Sequence, residues 1–171
     1  MTSGRSPAQP AVQIRPYQDA DRDQVMALAD RLTFGVAPWR DPDAVLAAVR
    51  GWVRDSIAAV GRPDHAAYVA TDGADGAEGA DVVGLLTLSE RTHFNGEVDV
   101  YVSELIVRAD RERQGIARLL MGVAQEWAVS RGRRYLTLQT GTANQVARAA
   151  YAAMGFEDEE IQLTKEVRPV S

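Results

Sequence analysis

The chain has 171 residues, 46% of them hydrophobic, which is enough for one substantial core and short for two domains. Its formal net charge of −5 at pH 7 argues against general nucleic-acid binding, which needs a basic surface, and is compatible with a positively charged substrate. The absence of cysteine excludes disulfides, thiolate metal sites and a cysteine acyl-enzyme.

The ends of the chain define the expected domain. Residues 1–11 are rich in Pro, Ser and Gly and predict a disordered lead, so we expect a single domain over residues 12–171. No apolar run is long enough for a signal peptide or a membrane span. We therefore expect a soluble, cytoplasmic protein without a membrane partner.

The first half of the chain predicts two helices among three strands. Val12 to Tyr17 alternates as a strand, and the carboxylates of 19–23 then begin a helix. A second helix starts at Asp41 or Asp43 and ends near Val60. Strands follow at 66–71 and 82–89, joined by an acidic glycine loop over 72–81. The carboxylates of that loop would repel a phosphate, so we interpret it as a solvated hairpin turn.

The second half predicts the longest strand and two more helices. The strand runs from Val98 to Val107, and apolar residues at helical spacing then indicate a helix from Gln114 to about Ser130. A strand is expected at 135–140. Thr142 and Gln145 have capping-box spacing for a helix that ends at Met154, and a last strand is expected at 161–167.

The start of the helix at Gln114 is a candidate anion site. Its first N–H groups have no partner inside the helix, and the positive end of the helix dipole favours a negative charge there. Gly115 and Ala117 lack the bulk to block a ligand. The positions of Arg111, Arg113 and Arg118 add positive charge.

Two separated motifs in this order carry a family resemblance. The matching positions are Leu105 and Val107 at a strand end, Gly115 and Ala117 at a helix start, and Asn144, Ala147, Tyr151, Gly155 and Phe156. The pattern resembles the GNAT superfamily of acyl-CoA-dependent N-acetyltransferases. The resemblance implies an α/β (α+β) fold with a mixed, mostly antiparallel sheet of about six to seven strands and about four flanking helices.

The resemblance also implies how acetyl-CoA is held as co-substrate. Its pyrophosphate would lie on the amides of residues 113–118, and its pantetheine arm would add alongside Leu105, Ile106 and Val107. A main-chain N–H near Ile106 or Val107 would polarise the thioester carbonyl, and Asn144 would bind the arm. The implied cofactor-binding set is Leu105, Ile106, Val107, Arg113, Gln114, Gly115, Ile116, Ala117, Arg118, Asn144 and Tyr151. From the sequence alone, Asn144 is equally well a polar residue of a first helical turn.

The resemblance names Tyr151 as the general acid that protonates the departing CoA thiolate. Without it, Tyr151 reads as a core residue, because it shares a helical face with Ala147 and Met154. Glu104 is the candidate base, because it stands on the strand where the thioester should lie. Three other carboxylates stay open as alternatives: Glu90, Glu97 and Asp99.

Two positions depart from the family pattern. The family usually has Arg or Gln three residues before the first glycine, and this chain has Glu112. Relatives resembling ribosomal-protein alanine acetyltransferases carry Glu five residues before the asparagine, whereas this chain has Gln139, which cannot act as a base. His65 and His93 lack a second ligand at helical or hairpin spacing, so we expect no metal site.

The functional expectation is transfer of acetyl from acetyl-CoA to a primary amine of a small molecule by direct attack in a ternary complex. The acceptor would be aminoglycoside-, polyamine- or amino-acid-like, bound by residues 33–40, the second helix and residues 90–99. A non-catalytic acyl-CoA-binding module and a protein or peptide N-acetyltransferase stay open as alternatives. So does a homodimer, which the family makes plausible; no nucleic-acid partner is expected.

Overall fold

A computed structural model describes residues 12–73 and 80–167 of the chain. The expected disordered lead and most of the acidic glycine loop lie outside these residues. One five-stranded sheet has the order β1-β2-β3-β4-β5, in which β1 to β4 are antiparallel and β5 is parallel to β4. The strands are β1 Val12–Pro16, β2 His65–Asp72, β3 Asp81–Thr92, β4 Val98–Val107 and β5 Leu136–Leu138.

Four α-helices lie beside the sheet, and the predicted helices are all confirmed in place. Pro at the first position and an Asp41 side chain that accepts from the Ala44 N–H (2.8 Å) begin the second of them. The first helix continues as a 3₁₀ segment, Ala29–Thr33. The helices are α1 Arg22–Leu28, α2 Pro42–Ala58, α3 Ile116–Ser130 and α4 Gln145–Ala153.

The sheet separates two hydrophobic cores. On one face, α1 and α2 bury Val25, Val53 and Ile57 against side chains of β2, β3 and β4. On the other face, α3 buries Leu120 and four neighbours against the opposite side chains of the same strands. Each fully buried aliphatic side chain contributes about 1.5–3 kcal/mol relative to exposure. These two layers fix β3 and β4 at the centre of the molecule.

A β-bulge in β4 changes which face its side chains occupy. Thr87 pairs with Glu104 but Leu88 pairs with Val102, so Ser103 is the extra residue. Val100 and Val102 therefore belong to the α3 core, whereas Ile106 belongs to the α1 and α2 core. Glu104 lies on the same face as Ile106.

The predicted last strand at 161–167 is wrong, and within the described residues the sheet has five strands rather than about six to seven. Residues 157–167 form no regular structure, and the apolar side chains of Ile161, Leu163 and Val167 are exposed. Alternation makes a strand only where a sheet edge can pair with it, and β5 offers an edge of three residues. The predicted strand over 135–140 is shortened for the same reason, because it pairs with β4 only as far as Val102.

The cap of α4 also differs from the prediction. Asn144 is the N-cap, and its side chain accepts from the Ala147 N–H at 3.2 Å. Thr142 instead accepts a hydrogen bond from the Gln145 side chain through its main-chain oxygen. Gly155 follows the helix in the left-handed conformation, with a φ of 90°.

Within residues 12–73 and 80–167, no helix is both long enough and apolar enough to cross a membrane.

Candidate active site

The loop between β4 and α3 forms a cradle of main-chain N–H groups. Arg113 and Gly115 both have positive φ, 59° and 84°, and Gly115 is the N-cap of α3. Such left-handed residues around a helix start turn successive N–H groups towards one point, which suits an anion. Across the two described ranges, no main-chain acceptor pairs with the N–H groups of residues 112–118; the Leu119 N–H is the first of the helix to do so.

The charges around this loop are partly committed to other contacts. Arg111 forms an ion pair with Asp72 at the end of β2 and also donates to the Gln114 side chain at 2.9 Å. Glu112 forms an ion pair with Arg31 of the 3₁₀ segment. The Arg31 guanidinium, from the segment that follows α1, thereby offsets the negative charge of Glu112. Arg113 and Arg118 of this region are exposed, and neither forms an ion pair with a described residue.

The strand β4 has an open edge just before this loop. Its pairing with β5 ends at Val102, so residues 103–107 have no partner strand on that side within the described chain. The Arg108 N–H donates to the Val83 oxygen at 2.8 Å, and antiparallel alternation then directs the N–H groups of Leu105 and Val107 to the open side. Of the two amides proposed to polarise a carbonyl, that of Val107 faces the gap and that of Ile106 faces β3.

The bulge at Ser103 places Glu104 on the face opposite to Leu105 and beneath α2. Glu104 is 4% exposed, and its carboxylate accepts a hydrogen bond from the Thr87 hydroxyl. The Ser56 hydroxyl lies close enough to the carboxyl to lower its pKa. Burial raises the pKa of the Glu104 carboxyl, and these two hydroxyls together with the charge of Arg91 offset part of that increase. A carboxylate with a raised pKa is a better proton acceptor than an ordinary glutamate.

Tyr151 projects from the middle of α4. Its ring contacts Phe156 edge to face, with centroids 5.8 Å apart. Burial alone raises the pKa of the Tyr151 hydroxyl. The hydroxyl therefore keeps its proton throughout the neutral range, as a proton donor requires.

Asn144 lies where the loop before α4 meets the loop after the 3₁₀ segment. A Cβ built on Gly35 would come within 2.4 Å of the Asn144 Cβ, and one on Gly141 within 2.0 Å of the Gly35 oxygen. Gly35 also has a φ of 81°. Only glycine permits this close approach. It brings residues 33–40, which are predicted to bind the acceptor, into contact with Asn144, which is predicted to bind the pantetheine arm.

The three alternative base residues lie in different surroundings. Glu90 is held by Arg133 at 3.0 Å and Arg131 at 3.4 Å, and the Arg133 contact lowers the pKa of its carboxyl. Glu97 accepts from Asn95 in the exposed turn between β3 and β4. Asp99 is buried and pairs in register with Arg91. Glu104, by contrast, has a raised pKa and lies on β4 beside the open edge.

A sequence model of the Acetyltransferase (GNAT) family matches residues 15–156, well over half of the chain. The chain belongs to the GNAT family. It is therefore an N-acetyltransferase, and acetyl-CoA is its co-substrate. The fold class and the family resemblance predicted from the sequence are confirmed, apart from the strand count.

Solved structures share this GNAT fold at low identity. AAC(6')-Iy, in complex with the bisubstrate analogue CoA-S-monomethyl-acetylneamine, is 22% identical, with a TM-score of 0.63 over 93% of this chain and 99% of the other. The aminoglycoside antibiotic 6'-N-acetyltransferase AAC(6')-Ih from Acinetobacter baumannii is 20% identical, with a TM-score of 0.63 over 93% and 100%. An acetyltransferase from Trypanosoma brucei is 18% identical, with a TM-score of 0.61 over 92% and 100%.

A search of curated protein sequences returned no match.

Several residues that build this GNAT site carry no signal in the sequence. Ser56 and Thr87 come from α2 and β3, and a hydroxyl near a distant glutamate has no motif. Arg31 lies 81 positions before Glu112. Its one available signal was indirect: an acidic residue in a phosphate loop requires a neutralising cation from somewhere. In the described residues, no group of three or more His, Asp or Glu side chains is arranged to hold a metal ion.

Proposed function

We propose that the protein transfers the acetyl group of acetyl-CoA to the primary amine of a small molecule, by direct attack in a ternary complex. The observation that carries this proposal is the bulge at Ser103. It turns the Glu104 carboxylate to the α2 face of the sheet, while the edge of β4 after Val102 has no partner strand in the described chain and leads into the loop that precedes α3. The donor and the acceptor can then approach one point of β4 from two sides.

The residues of the cradle fit the co-substrate. The free N–H groups of residues 112–118 offer donors for the pyrophosphate, with Arg113 and Arg118 beside them. Leu105 and Val107 offer main-chain groups along the open edge for the amide-bearing arm. Asn144 caps α4 with its side-chain oxygen, which leaves its side-chain NH₂ for the arm. Acetyl-CoA supplies the activated acetyl group.

Glu104 acts as general base in this proposal. An amine with a pKa near that of lysine is mostly protonated at pH 7, and forming the neutral nucleophile costs about 4–5 kcal/mol. Glu104 accepts that proton, directly or through a water molecule, and its raised pKa reduces the difference in basicity. The Thr87 hydroxyl orients the carboxylate.

Tyr151 acts as general acid and gives its proton to the departing thiolate. A hydroxyl whose pKa is raised is protonated at neutral pH, and a thiolate leaving a dry site is basic enough to accept from it. The Val107 N–H polarises the acetyl carbonyl from the open edge of β4. No cysteine is present to carry the acetyl group between the two substrates.

Two observations support a small-molecule acceptor. Structural neighbours include aminoglycoside acetyltransferases, one of them holding an acetylated neamine linked to CoA. In addition, Gln139 stands where relatives that modify ribosomal proteins have a glutamate, and it contacts the Tyr101 hydroxyl at 3.4 Å.

The test is to mix the protein with acetyl-CoA and a panel of small amines and peptides and to follow free CoA thiol. We expect thiol release that depends on a small amine and exceeds that with peptides. Thermal stabilisation by CoA without thiol release would instead indicate a binding module. Faster acetylation of peptides would indicate a protein N-acetyltransferase.

A further inference from the structure

An open cleft of about 320 Å³ lies on the α2 face of the sheet, next to Glu104. Its wall includes Ser103, the bulge residue that precedes Glu104 in the chain, and Ser56, whose hydroxyl lies close enough to the Glu104 carboxyl to affect its pKa. The cleft therefore adjoins the proposed base without being lined by it. Its charged or polar lining includes Ser56, Arg62, His65, Glu90, Arg91 and Ser103.

The acidic residues of this cleft are already paired with arginines. Glu90 is held by Arg133 at 3.0 Å and by Arg131 at 3.4 Å. Asp55, also on the wall, pairs with Arg54 at 3.2 Å. Two arginines neutralise Glu90, whereas Asp55, whose side chain is 74% exposed, has a single contact with the adjacent Arg54.

The two arginines of the cleft wall, Arg62 and Arg91, form no ion pair with a described residue. Arg62 has no carboxylate within 4 Å among the described residues. Arg91 stacks on the Tyr101 ring at 3.4 Å from the centroid, which leaves the edge of its guanidinium for hydrogen bonds. Arg62 and Arg91 thus place positive charge on the wall that no ion pair with a described residue neutralises, and the carboxylates of Asp55 and Glu104 lie on or beside the same wall.

We propose that the acceptor is an amine that also carries a carboxylate, of the amino-acid type, and that Arg62 and Arg91 bind that carboxylate while the amine reaches Glu104. This inference rests on the proposed acetyl transfer and narrows its substrate class. A polyamine or an aminoglycoside would place additional ammonium groups against Arg62 and Arg91, where like charges repel. A zwitterion matches the positive wall and the negative end at the same time.

The test compares an amine that carries a carboxylate with amines that lack one; leucine and leucinamide differ only in that group. Initial rates of thiol release are measured with acetyl-CoA and leucine, leucinamide, spermidine or neamine. The proposal expects kcat/KM for leucine to exceed that for leucinamide by about tenfold or more, since a charge-assisted Arg–carboxylate contact is lost in the amide. The amide's less basic amine favours leucinamide, so such a preference cannot come from amine basicity.

Arg62→Gln should reduce the leucine-to-leucinamide ratio of kcat/KM about tenfold, because only leucine loses a carboxylate contact. Arg22→Gln, which removes an exposed charge on α1 outside the cleft, is the matched control and should leave the ratio as it is. A higher kcat/KM for leucinamide, spermidine or neamine than for leucine would overturn the substrate class while leaving acetyl transfer intact. Absence of thiol release with every amine would instead count against the proposed function.

A binding measurement decides the substrate class without turnover. N-acetylleucine, the expected product, is titrated calorimetrically into the CoA-loaded protein, with N-acetylleucinamide as the comparison. We expect saturable binding of N-acetylleucine that weakens about tenfold in Arg62→Gln, and weaker binding of the amide. Equal binding of acid and amide, or no binding of either, would contradict the proposal.

Discussion

Glu104 is buried beneath α2 with only hydroxyl partners, an arrangement that is unfavourable for a carboxylate. Burial raises its pKa, so the native state holds the proton to a higher pH than the unfolded chain does. The contribution of Glu104 to stability is therefore largest below the ordinary glutamate range. It falls as pH rises through the raised pKa and is constant above it. Such a cost is common at sites whose polar groups serve chemistry.

Glu104→Gln should stabilise the protein at pH 8 and reduce its activity. Glutamine keeps the size and the hydrogen bond with Thr87 but has no charge to bury and accepts no proton. We expect kcat/KM to fall about 10²–10⁴-fold and the urea midpoint at pH 8 to rise. The wild type should lose stability relative to this variant as the pH rises from the ordinary glutamate range through the raised pKa of Glu104. A variant that is both less stable and fully active would contradict both parts.

The pH–rate profile gives a separate test of Glu104. The base works only as the carboxylate, so kcat/KM should fall as pH decreases through the raised pKa, at a pH above the ordinary glutamate range. The measurement is kcat/KM against pH for the wild type and for Glu104→Gln. An acid limb that persists unchanged in the variant would assign it to another group.

Tyr151→Phe should reduce kcat by about 10² or more with little change in the Kd for CoA. Phenylalanine keeps the ring contact with Phe156 and removes only the proton that the thiolate would receive. Tyr135→Phe, which changes an exposed tyrosine in the connection just before β5, is the matched control. An unchanged kcat for Tyr151→Phe would exclude the hydroxyl as the acid.

At the scale of elements, the bulge in β4 explains what the sequence could predict about the site and what it could not. The bounds of β4, Val98–Val107, agree with the prediction because alternation and the following turn are local signals. The faces do not follow from alternation, because one extra residue at Ser103 reverses every side chain after it. Glu104 could be named from its strand, but its side of the sheet depends on pairing with β3.

The contact between Gly35 and the loop before α4 joins two segments that are far apart in the sequence, so no sequence pattern could have predicted it.

Gly35→Ala should destabilise the protein and raise KM for acetyl-CoA. An added Cβ would lie 2.4 Å from the Asn144 Cβ, so the two loops must separate. We expect a loss of about 2–4 kcal/mol from this overlap and the strained φ together.

Gly61→Ala is the matched control for that prediction. Gly61 has a similarly positive φ, 100°, but an added Cβ meets nothing within 4 Å. It should lose only the conformational part, about 1 kcal/mol, and keep its KM. Chemical denaturation and steady-state kinetics of both variants provide the comparison. Equal effects in the two variants would show that the loop contact has no role.

In the C-terminal segment, a sequence pattern predicts a strand that the structure does not form. Ile161, Leu163 and Val167 alternate with polar residues as a half-buried strand would, yet they are exposed and unpaired with the sheet. Alternation describes what a segment can do beside a suitable edge. It does not supply the edge, and β5 is only three residues long.

At the scale of the whole molecule, the proposed cofactor site and the proposed acceptor site lie on opposite faces of the sheet. The α3 face carries the anion loop and Leu105 and Val107, whereas the α2 face carries Glu104 and the open cleft. The ion pair of Arg31 with Glu112 and the contact of Gly35 with Asn144 connect the two sides. The family motif made the cofactor side predictable; the acceptor side is built from residues far apart in sequence.

Binding of CoA should stabilise the whole domain. A ligand that binds only the native state at a hundred times its Kd adds about 2.7 kcal/mol, which corresponds to several degrees in Tm. Added salt should weaken the effect, because the contacts with Arg113 and Arg118 are exposed. Differential scanning fluorimetry with CoA and with dephospho-CoA at two salt concentrations provides the measurement. No shift with CoA at millimolar concentration would contradict the cradle.

The central claim is direct transfer in a ternary complex, and initial velocities over a matrix of acetyl-CoA and amine concentrations test it most directly. Direct transfer predicts reciprocal plots that intersect, together with no acetylated protein by intact mass after incubation with acetyl-CoA alone. Parallel lines with a stable acetyl adduct would contradict it, because the protein would then carry the acetyl group itself.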